Sequence, residues 1–280
     1  MEKEYNNIQY LKCNLTSERR EGDTTIQFDH VSKHYGEFAA LKDLSLSLEN
    51  GEIFGLIGHN GAGKTTSISL LTSIIEPTSG RILVDDLDLS QHRDAIKKRI
   101  AYVPDSPDIF LNLTAREYWN FLAKVYGVEQ AQAQARMDSL SRLFDIQDRQ
   151  DETIDSFSHG MRQKTIIIGA LIPSPDIWVL DEPLTGLDPQ ASFDLKEMMK
   201  EHAQKGNTVL FSTHVLSVAE QLCDRIGILR KGELIFVGTL EELKNNYPNK
   251  DLETIYLELA GRQTEAKAGE EEWSGPISGN

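Results

Sequence analysis

The sequence predicts an α/β fold in which a sheet domain carries an inserted helical subdomain, and three observations lead to this prediction. An apolar run, Ile53–Ile57, is followed by a glycine-rich turn and a helix-like stretch at 66–73. Residues 114–146 have the apolar spacing of amphipathic helices. Beyond them, apolar runs alternate with a further helical stretch. Strands separated by helices favour a parallel sheet, because parallel neighbours need a long crossover.

The predicted strands are short and are separated by turn residues or by helices. Residues 44–48 alternate leucine with serine, which is the pattern of a strand buried on one face. Residues 177–180 and 208–212 are joined by a predicted helix, Pro189–Gln204, as a parallel βαβ unit requires. The complete set of predicted strands is 24–28, 44–48, 53–57, 81–84, 100–103, 177–180, 208–212 and 225–229.

The helical subdomain is predicted to span about 105–172. Thr114 and Glu117 have the spacing of a capping box, in which each side chain pairs with the backbone N–H of the other residue. The apolar positions of the first helix are Trp119, Leu122 and Tyr126, and those of a second helix after Gly127 are Met137, Leu140 and Phe144. We interpret this stripe as a packed helical core and not as a ligand site.

Composition limits the classes of partner. The 280 residues carry a formal net charge of −15. Binding to nucleic acid draws on clustered lysine and arginine, so no nucleic-acid partner is expected. The two cysteines, Cys13 and Cys223, form no CxxC pair and no cluster with histidine. They predict a reducing cytosol, without a disulfide framework or a cysteine metal site.

The ends of the chain differ from its middle. Residues 1–23 are predicted to be a polar extension without the apolar core of a signal peptide, and residues 264–280 an acidic, disordered tail. The main domain is then 24–263. No apolar run approaches the roughly 18 residues of a membrane-spanning helix, so we expect a membrane role only through a partner.

The glycine-rich turn predicts a nucleotide site. Its sequence, Gly58-His59-Asn60-Gly61-Ala62-Gly63-Lys64-Thr65, fits G-x-x-x-x-G-K-[ST] without a mismatch. Glycines let successive backbone N–H groups point at a phosphate, and the helix that follows adds the positive end of its dipole. Lys64 would reach the β- and γ-phosphates, and the Thr65 hydroxyl would bind Mg²⁺. The chain is therefore predicted to be a P-loop NTPase.

Two adjacent carboxylates, Asp181 and Glu182, follow the apolar strand 177–180 directly. Hydrolysis of a nucleoside triphosphate needs a carboxylate for the metal and a group that positions or deprotonates water. We predict that Asp181 binds Mg²⁺ through water and that Glu182 is the general base. The pair alone would be an ordinary solvated strand end, but the phosphate loop upstream favours catalysis.

Six sequence segments together resemble ABC ATPases in order and spacing, over about residues 26–238. They are Tyr35, the phosphate loop, 157–161 (Phe-Ser-His-Gly-Met), 180–183 (Leu-Asp-Glu-Pro), 185–188 (Thr-Gly-Leu-Asp) and 212–214 (Ser-Thr-His). The resemblance implies a RecA-like core, an antiparallel β subdomain and an inserted α-helical subdomain. It also implies ATP and Mg²⁺ as ligands.

The resemblance assigns a role to each matching residue. Tyr35 would stack on adenine, and His214 would contact the γ-phosphate. Ser158 and Gly160 would reach the ATP bound to a second ATPase subunit, and Asp188 would lie in the loop that links the two sites. The residues that would hold the phosphates and Mg²⁺ are Gly58, Asn60, Gly61, Ala62, Gly63, Lys64, Thr65 and Thr66. The expected assembly is a head-to-tail dimer; a homodimer is expected because one chain holds both halves of the site, and pairing with a paralogue stays open.

Two departures from the family pattern matter, one in the signature segment and one at Asp105. The signature is commonly Leu-Ser-Gly-Gly-Gln, whereas here 157–161 keeps Ser158 and Gly160 but replaces one glycine and the glutamine. Such variants resemble the ATPases that pair with a separate membrane protein. Asp105 stands where the family usually has a glutamine that senses Mg²⁺ and water. An ionised carboxylate can still hold Mg²⁺ through water but cannot donate a hydrogen bond.

Because of Asp105, we expect slow basal ATP hydrolysis. The Asp105→Gln variant would regain the missing donor, so its turnover should exceed that of the wild-type chain. Steady-state phosphate release from the two purified proteins tests this. Equal rates would count against a limiting role for Asp105.

The leading functional hypothesis is an ATPase subunit that powers a membrane exporter of peptides, lipids or drugs from the cytoplasmic face of the membrane. Pro107, Ile109 and Phe110 are predicted to be an exposed apolar cluster at the joint where family members receive a transmembrane subunit, although ordinary packing between the lobes would explain them equally well. Residues 251–259 resemble the C-terminal segment of ATPases that serve ABC-2-type exporters.

Two other classes compete with the exporter. A non-transport ABC ATPase acting on a soluble assembly remains an alternative, because the motifs do not specify what the ATP cycle moves. Too few residues separate Lys64 from Asp181 for the long coiled coils of DNA-repair relatives. A P-loop kinase or GTPase conflicts with Ser158, Gly160 and His214, and the guanine-specific Asn-Lys-x-Asp sequence is missing.

Overall fold

The computed structural model describes residues 24–248 and 250–259. The strands are β1 (Thr24–Tyr35), β2 (Phe38–Glu49), β3 (Ile53–Ile57), β4 (Ser79–Val84), β5 (Leu87–Asp88), β6 (Ile100–Val103), β7 (Ile177–Asp181), β8 (Thr208–Thr213), β9 (Arg225–Arg230) and β10 (Glu233–Gly238). The helices are α1 (Lys64–Leu71), α2 (Arg93–Lys97), α3 (Ala115–Val125), α4 (Gln130–Leu143), α5 (His159–Leu171), α6 (Pro189–Gln204), α7 (Leu216–Leu222), α8 (Leu240–Asn246) and α9 (Leu252–Leu259). Each predicted strand lies within an observed one, and α6 has the predicted bounds.

The chain divides between Leu240 and Glu241 into two compact units. The first unit holds both sheets, and the second holds α9 and most of α8. The predicted extension 1–23 and tail 264–280 lie outside the described residues. No helix in the described part of the chain combines the length and the apolar character needed to cross a membrane.

The larger sheet has six strands in the order β10-β9-β3-β8-β7-β6. Strands β9, β3, β8, β7 and β6 run parallel, and β10 pairs antiparallel with β9 at one edge. Strands β3, β7 and β8 are buried along their whole length, as expected for a parallel sheet covered on both faces. Their carboxyl ends therefore meet at one edge, with β8 between β3 and β7.

Strand β10, which follows β9 through Lys231 and Gly232, was not among the predicted strands. Both turn residues have positive φ, at 50° and 82°. Two consecutive positive φ values are typical of the two-residue turn that joins antiparallel strands. The Lys-Gly pair was the available signal for this hairpin.

The smaller sheet has four antiparallel strands in the order β2-β1-β4-β5. Strands β1 and β2 are longer than predicted because the pairing continues through irregular register into a polar segment that ends at Tyr35. Ile26 and Phe28 of β1 are buried with Ile68 of α1 and Phe54 of β3 in one apolar cluster. This cluster fixes the phosphate-loop strand and helix against the antiparallel sheet.

Helices α3, α4 and α5 form the core of the inserted helical region. Thr114 Oγ1 accepts a hydrogen bond from Glu117 N (3.1 Å), and Glu117 Oε2 accepts one from Thr114 N (2.8 Å), so the predicted capping box is confirmed. Trp119 is fully buried, and its Nε1 donates to Thr165 O of α5. The stripe on α3 is therefore a packed core at Trp119, as predicted.

The prediction of an exposed apolar cluster at Pro107, Ile109 and Phe110 is wrong in part. Pro107 is buried and Ile109 is partly buried, since Ile109 packs against the main apolar cluster. Phe110 remains 47% exposed. Loop position alone predicted exposure, but the loop folds back on the helical region.

Because His202 of α6 is buried, we predict that the free energy of unfolding decreases at acidic pH. Its ring stacks on Trp178 with centroids 4.1 Å apart, and its Nε2 lies 3.1 Å from Asp176 O. Burial lowers the pKa of His202 to about 4. In the unfolded chain His202 takes up a proton near pH 6.5, whereas in the folded chain it does so only near pH 4. The contribution of neutral, buried His202 to the free energy of unfolding is therefore complete above pH 6.5 and is lost as the pH falls towards 4.

We expect the wild-type free energy of unfolding to fall by about 2 kcal/mol more than that of His202→Phe between pH 7.5 and pH 5. Phenylalanine keeps an aromatic ring beside Trp178 but cannot take up a proton. Urea denaturation of both proteins at the two pH values measures the difference. Parallel losses in the two proteins would contradict the neutral, buried state of His202.

Candidate functional site

The phosphate loop occupies residues 58–63 between β3 and α1. Gly63 has a φ of 114°, and a Cβ there would lie 3.1 Å from both Ala40 O and Leu41 Cδ2. Only glycine tolerates both constraints, so the β2 strand packs directly against the loop. Within the turn Asn60 and Gly61 are exposed and Ala62 is buried; at the start of α1 Thr65 is exposed and Thr66 partly exposed.

Lys64 lies beneath this loop with a side chain that is 6% exposed. Its Nζ donates to Gly58 O at 2.7 Å and lies 3.3 Å from Glu182 Oε1. The other oxygen, Glu182 Oε2, is 3.0 Å from His214 Nδ1. The three predicted catalytic residues are therefore brought together, Lys64 from the start of α1, Glu182 from the end of β7 and His214 from the end of β8.

Glu182 is held in an unusual backbone conformation. Its φ is 47°, in the left-handed region that residues other than glycine seldom adopt, and its N–H donates to Ser212 Oγ at 3.0 Å. Such positions concentrate at functional sites because the surrounding structure must hold them in place. The side chain is 11% exposed, beside the phosphate loop.

Asp181 is fully buried at the end of β7. Ser212 Oγ, directly across in β8, donates to Asp181 Oδ1. Burial raises the pKa of Asp181, hydrogen bonds from Ser212 and Thr65 oppose that rise, and the charge of Asp105 adds to it. Asp181, Thr65 and Asp105, the three predicted metal-binding residues, thus influence one another within one site.

The donor set at Asp181 suits Mg²⁺. Asp181 Oδ2 is buried and has no hydrogen-bond partner among the described residues. A carboxylate and a hydroxyl are the hard oxygen donors that Mg²⁺ uses, together with water and substrate phosphates. The described residues contain no group of three or more His, Cys, Asp or Glu side chains arranged for a metal ion. Any Mg²⁺ here would therefore take most of its ligands from water and from the phosphates of the nucleotide.

Tyr102 of β6 lies near the same two carboxylates, Asp181 and Asp105. Its pKa is raised to about 12, first by burial and then by the charges of Asp181 and Asp105. Asp105 itself is exposed in the loop after β6. A cation bound among these carboxylates would relieve the repulsion between them.

Tyr35 ends β1 and is 51% exposed. Lys33 Nζ lies 5.1 Å from the centroid of its ring and donates to Glu76 O. The hairpin that carries Tyr35 continues through β2 to Ala40 beside the phosphate loop. The residue is accessible to a base, but no described contact joins its side chain to Lys64 or Glu182.

Ser158 and Gly160 belong to the start of α5. Ser158 is exposed, and its Oγ accepts a hydrogen bond from Met161 N at 3.3 Å as the N-cap of the helix. Asp188 caps α6 in the same manner through Ala191 N. In the described part of the chain, neither Ser158 nor Gly160 is hydrogen-bonded to the phosphate loop. The structure therefore does not bring them to the Lys64–Glu182–His214 cluster.

Sequence reasoning named Ser212 only as part of the segment 212–214 and gave it no role, and it missed Lys164. Ser212 connects the two carboxylates, since its hydroxyl serves both Asp181 and the Glu182 backbone. Its signal was a hydroxyl side chain directly after the apolar run 209–211, in the strand that neighbours β7. Lys164 Nζ lies 2.6 Å from Asp188 Oδ2, a contact without any sequence spacing to predict it.

Chemically, this edge of the sheet combines a phosphate-binding loop, a buried lysine and a carboxylate that faces both that lysine and a histidine. A carboxylate in this position can accept a proton from water. The Lys64 ammonium group can stabilise negative charge that develops on the phosphate. The arrangement is suited to hydrolysis of a phosphate anhydride bond.

Comparison with known proteins shows extensive similarity. Residues 41–185 match the family model described as ABC transporter. The chain is 36% identical over 219 residues to the ABC transporter ATP-binding protein NatA of Bacillus subtilis, covering 78% of this chain and 89% of that protein. It is 35% identical over 218 residues to the linearmycin resistance ATP-binding protein LnrL of Bacillus subtilis, covering 78% and 70%.

Solved structures give the same result. The ATP-binding subunit of an ABC transporter superposes with a TM-score of 0.80 at 34% identity, covering 84% of this chain and 99% of the other. The dimeric structure of MJ0796, a bacterial ABC transporter cassette, gives a TM-score of 0.70 at 25% identity, covering 77% and 98%. Both alignments cover more than three quarters of this chain.

Proposed function

The chain belongs to the ABC transporter family, and from this premise we propose that it is the ATP-hydrolysing subunit of a membrane exporter. The fold class and the family predicted from the sequence are confirmed by the family match and the solved cassettes. The observation that carries the proposal is the position of Glu182 between Lys64 and His214 at the end of the sheet that bears the phosphate loop.

In the proposed reaction, ATP lies along the phosphate loop with its adenine on Tyr35. Lys64 exchanges its contact with Glu182 for the β- and γ-phosphates. Glu182 then accepts a proton from the attacking water, and His214 donates a hydrogen bond to the γ-phosphate. When bound by Thr65, Asp181 and Asp105, Mg²⁺ would neutralise phosphate charge. Ser212 fixes the Asp181 side chain and the Glu182 backbone relative to each other through its two hydrogen bonds.

A second ATPase subunit would complete the site. Ser158 is exposed just before α5 and Gly160 is partly exposed in its first turn, where they would meet a phosphate of ATP held by another copy. MJ0796, a cassette similar to this chain, has been solved as a dimer. We propose that ATP closes a head-to-tail homodimer and that hydrolysis opens it.

An apolar patch supports a membrane partner. The patch consists of Phe110, Phe121 and Val125, which are 47%, 46% and 57% exposed. The rings of Phe110 and Phe121 are 5.7 Å apart, and Phe121 and Val125 lie one turn apart on α3. Exposed apolar clusters of this kind mark interaction sites. We propose that a transmembrane subunit docks here, at the cytoplasmic face of the membrane.

Export is supported by the names of relatives. LnrL is a linearmycin resistance ATP-binding protein, and other relatives at 34–35% identity are named for daunorubicin resistance and bacitracin transport. We propose that this chain serves an exporter of a peptide, a lipid or a drug. The transmembrane subunit would select the molecule.

Co-purification tests the exporter. Membranes of the source cell are solubilised, the Glu182→Gln chain is captured with ATP, and partners are identified by mass spectrometry. We expect a stoichiometric multi-span membrane protein that is lost when Phe121→Glu is added. Phe193→Glu, at an exposed aromatic on α6, is the matched control and should retain the partner. Only soluble partners would instead favour a non-transport ABC ATPase.

A further inference from the structure

The first turns of α5 press against loop 183–188, which follows Glu182. A Cβ at Gly160 would lie 2.5 Å from Gly186 O, so only glycine permits this approach. The His159 ring covers Gly186 from the same side. The helix start that carries Ser158 and the loop that begins beside Glu182 are thus in direct contact within one chain.

Two side chains of the next turn fasten the same loop. Gln163 is 1% exposed, and its Nε2 lies 3.4 Å from Pro183 O. Lys164 is 13% exposed, and its Nζ lies 2.6 Å from Asp188 Oδ2. Residues 159, 160, 163 and 164 fall on one face of a helix, because they are separated by about one turn. One helix face therefore holds both ends of the loop.

Besides its ion pair with Lys164, Asp188 also contacts the start of α6. Asp188 Oδ1 accepts a hydrogen bond from Ala191 N at 2.9 Å, which caps α6. The pKa of Asp188 is lowered, first by the Ala191 N–H and then by Lys164. Its carboxylate, with a side chain that is 48% exposed, thus joins α5 to α6.

We propose that Lys164 is a positioning residue for ATP hydrolysis: through Asp188 it fixes loop 183–188 and thereby the placement of Glu182. This inference rests on the proposed function of Glu182. Glu182 lies at positive φ, so its placement depends on how the adjoining loop is held. A displacement of Ser158 and the α5 start would move the loop, so the helix start and the general base respond together.

Steady-state kinetics of Lys164→Met tests this proposal. Methionine keeps the aliphatic length but removes the charge, so we expect kcat to fall about tenfold while KM for ATP stays within about twofold. Lys164→Arg restores a cation and should recover most of kcat. Lys200→Met is the matched control: it breaks an exposed pair with Glu197 on α6 and should leave kcat unchanged.

A double-mutant cycle identifies the partner. Asp188→Asn removes the charge but keeps an amide oxygen for the Ala191 N–H, since asparagine is a good N-cap. Its kcat should fall, and adding Lys164→Met should lower kcat no further, since both changes remove one interaction. Additive losses would overturn the proposal, as would a wild-type kcat in Lys164→Met.

The same assays separate the two hypotheses. A wild-type rate of ATP hydrolysis in Glu182→Gln would contradict the proposed function and also this inference, which rests on it. An inactive Glu182→Gln beside a fully active Lys164→Met would overturn only the role of Lys164. A raised KM with unchanged kcat in Lys164→Met would also overturn it, because that result places Lys164 in ATP binding.

Discussion

The Glu182→Gln chain is expected to bind ATP, to hydrolyse it at least about 100-fold more slowly than the wild type, and to accumulate as a closed dimer. Removing a general base costs a factor of about 10² to 10⁴. Glutamine retains the size of the side chain and an oxygen for Lys64 or His214, which lie 3.3 and 3.0 Å from the carboxylate. The phosphate loop is untouched, so binding survives while chemistry stops.

Single-turnover phosphate release and size-exclusion chromatography with ATP measure the two effects. Glu197→Gln, at an exposed carboxylate paired with Lys200 on α6, is the matched control and should hydrolyse ATP normally. A wild-type hydrolysis rate in Glu182→Gln would remove the general-base assignment. Loss of hydrolysis without a dimer would leave the base in place but contradict closure driven by ATP.

The sequence was sufficient for the elements that make the site because their signals are local. A glycine-rich loop between a buried strand and a helix specifies phosphate binding through the backbone itself. The carboxylates at 181–182 follow an apolar strand directly, and parallel strands bring their carboxyl ends to one edge. The order of the strands, in contrast, does not follow from local sequence patterns. The observed order places β8 between β3 and β7 and therefore brings His214 beside Glu182.

Contacts between distant segments could not be read from spacing. Lys164 meets Asp188 because α5 packs on loop 183–188, and no periodicity records that packing. Ser212 is one polar residue in a buried strand until its register with Asp181 is known. Pro107 was expected at the surface from its loop position, but tertiary packing buries it. The Lys164–Asp188 and Ser212–Asp181 pairings join residues that are widely separated in sequence, so they depend on the assembled core.

The Lys64→Ala chain is expected to bind ATP about 10- to 100-fold more weakly than the wild type. A hydrogen bond to a charged group is worth about 1.5–3 kcal/mol, which corresponds to that range in Kd. Lys64 is almost fully buried, so water cannot replace its ammonium group beneath the phosphates. The change also leaves Glu182 without its lysine neighbour, so thermal unfolding must be compared before binding is interpreted.

Calorimetric titration with ATP measures the affinity, and Lys42→Ala is the matched control, because Lys42 forms an exposed pair with Glu233. Unchanged ATP affinity in a folded Lys64→Ala chain would exclude Lys64 as a phosphate ligand. The two catalytic variants then separate binding from chemistry. At an ATP concentration close to the Kd of the wild type, Glu182→Gln should bind ATP and form the dimer, whereas Lys64→Ala should form little dimer. Adding Lys64→Ala to Glu182→Gln should shift the trapped dimer to about 10- to 100-fold higher ATP concentrations, because closure requires ATP to be bound first.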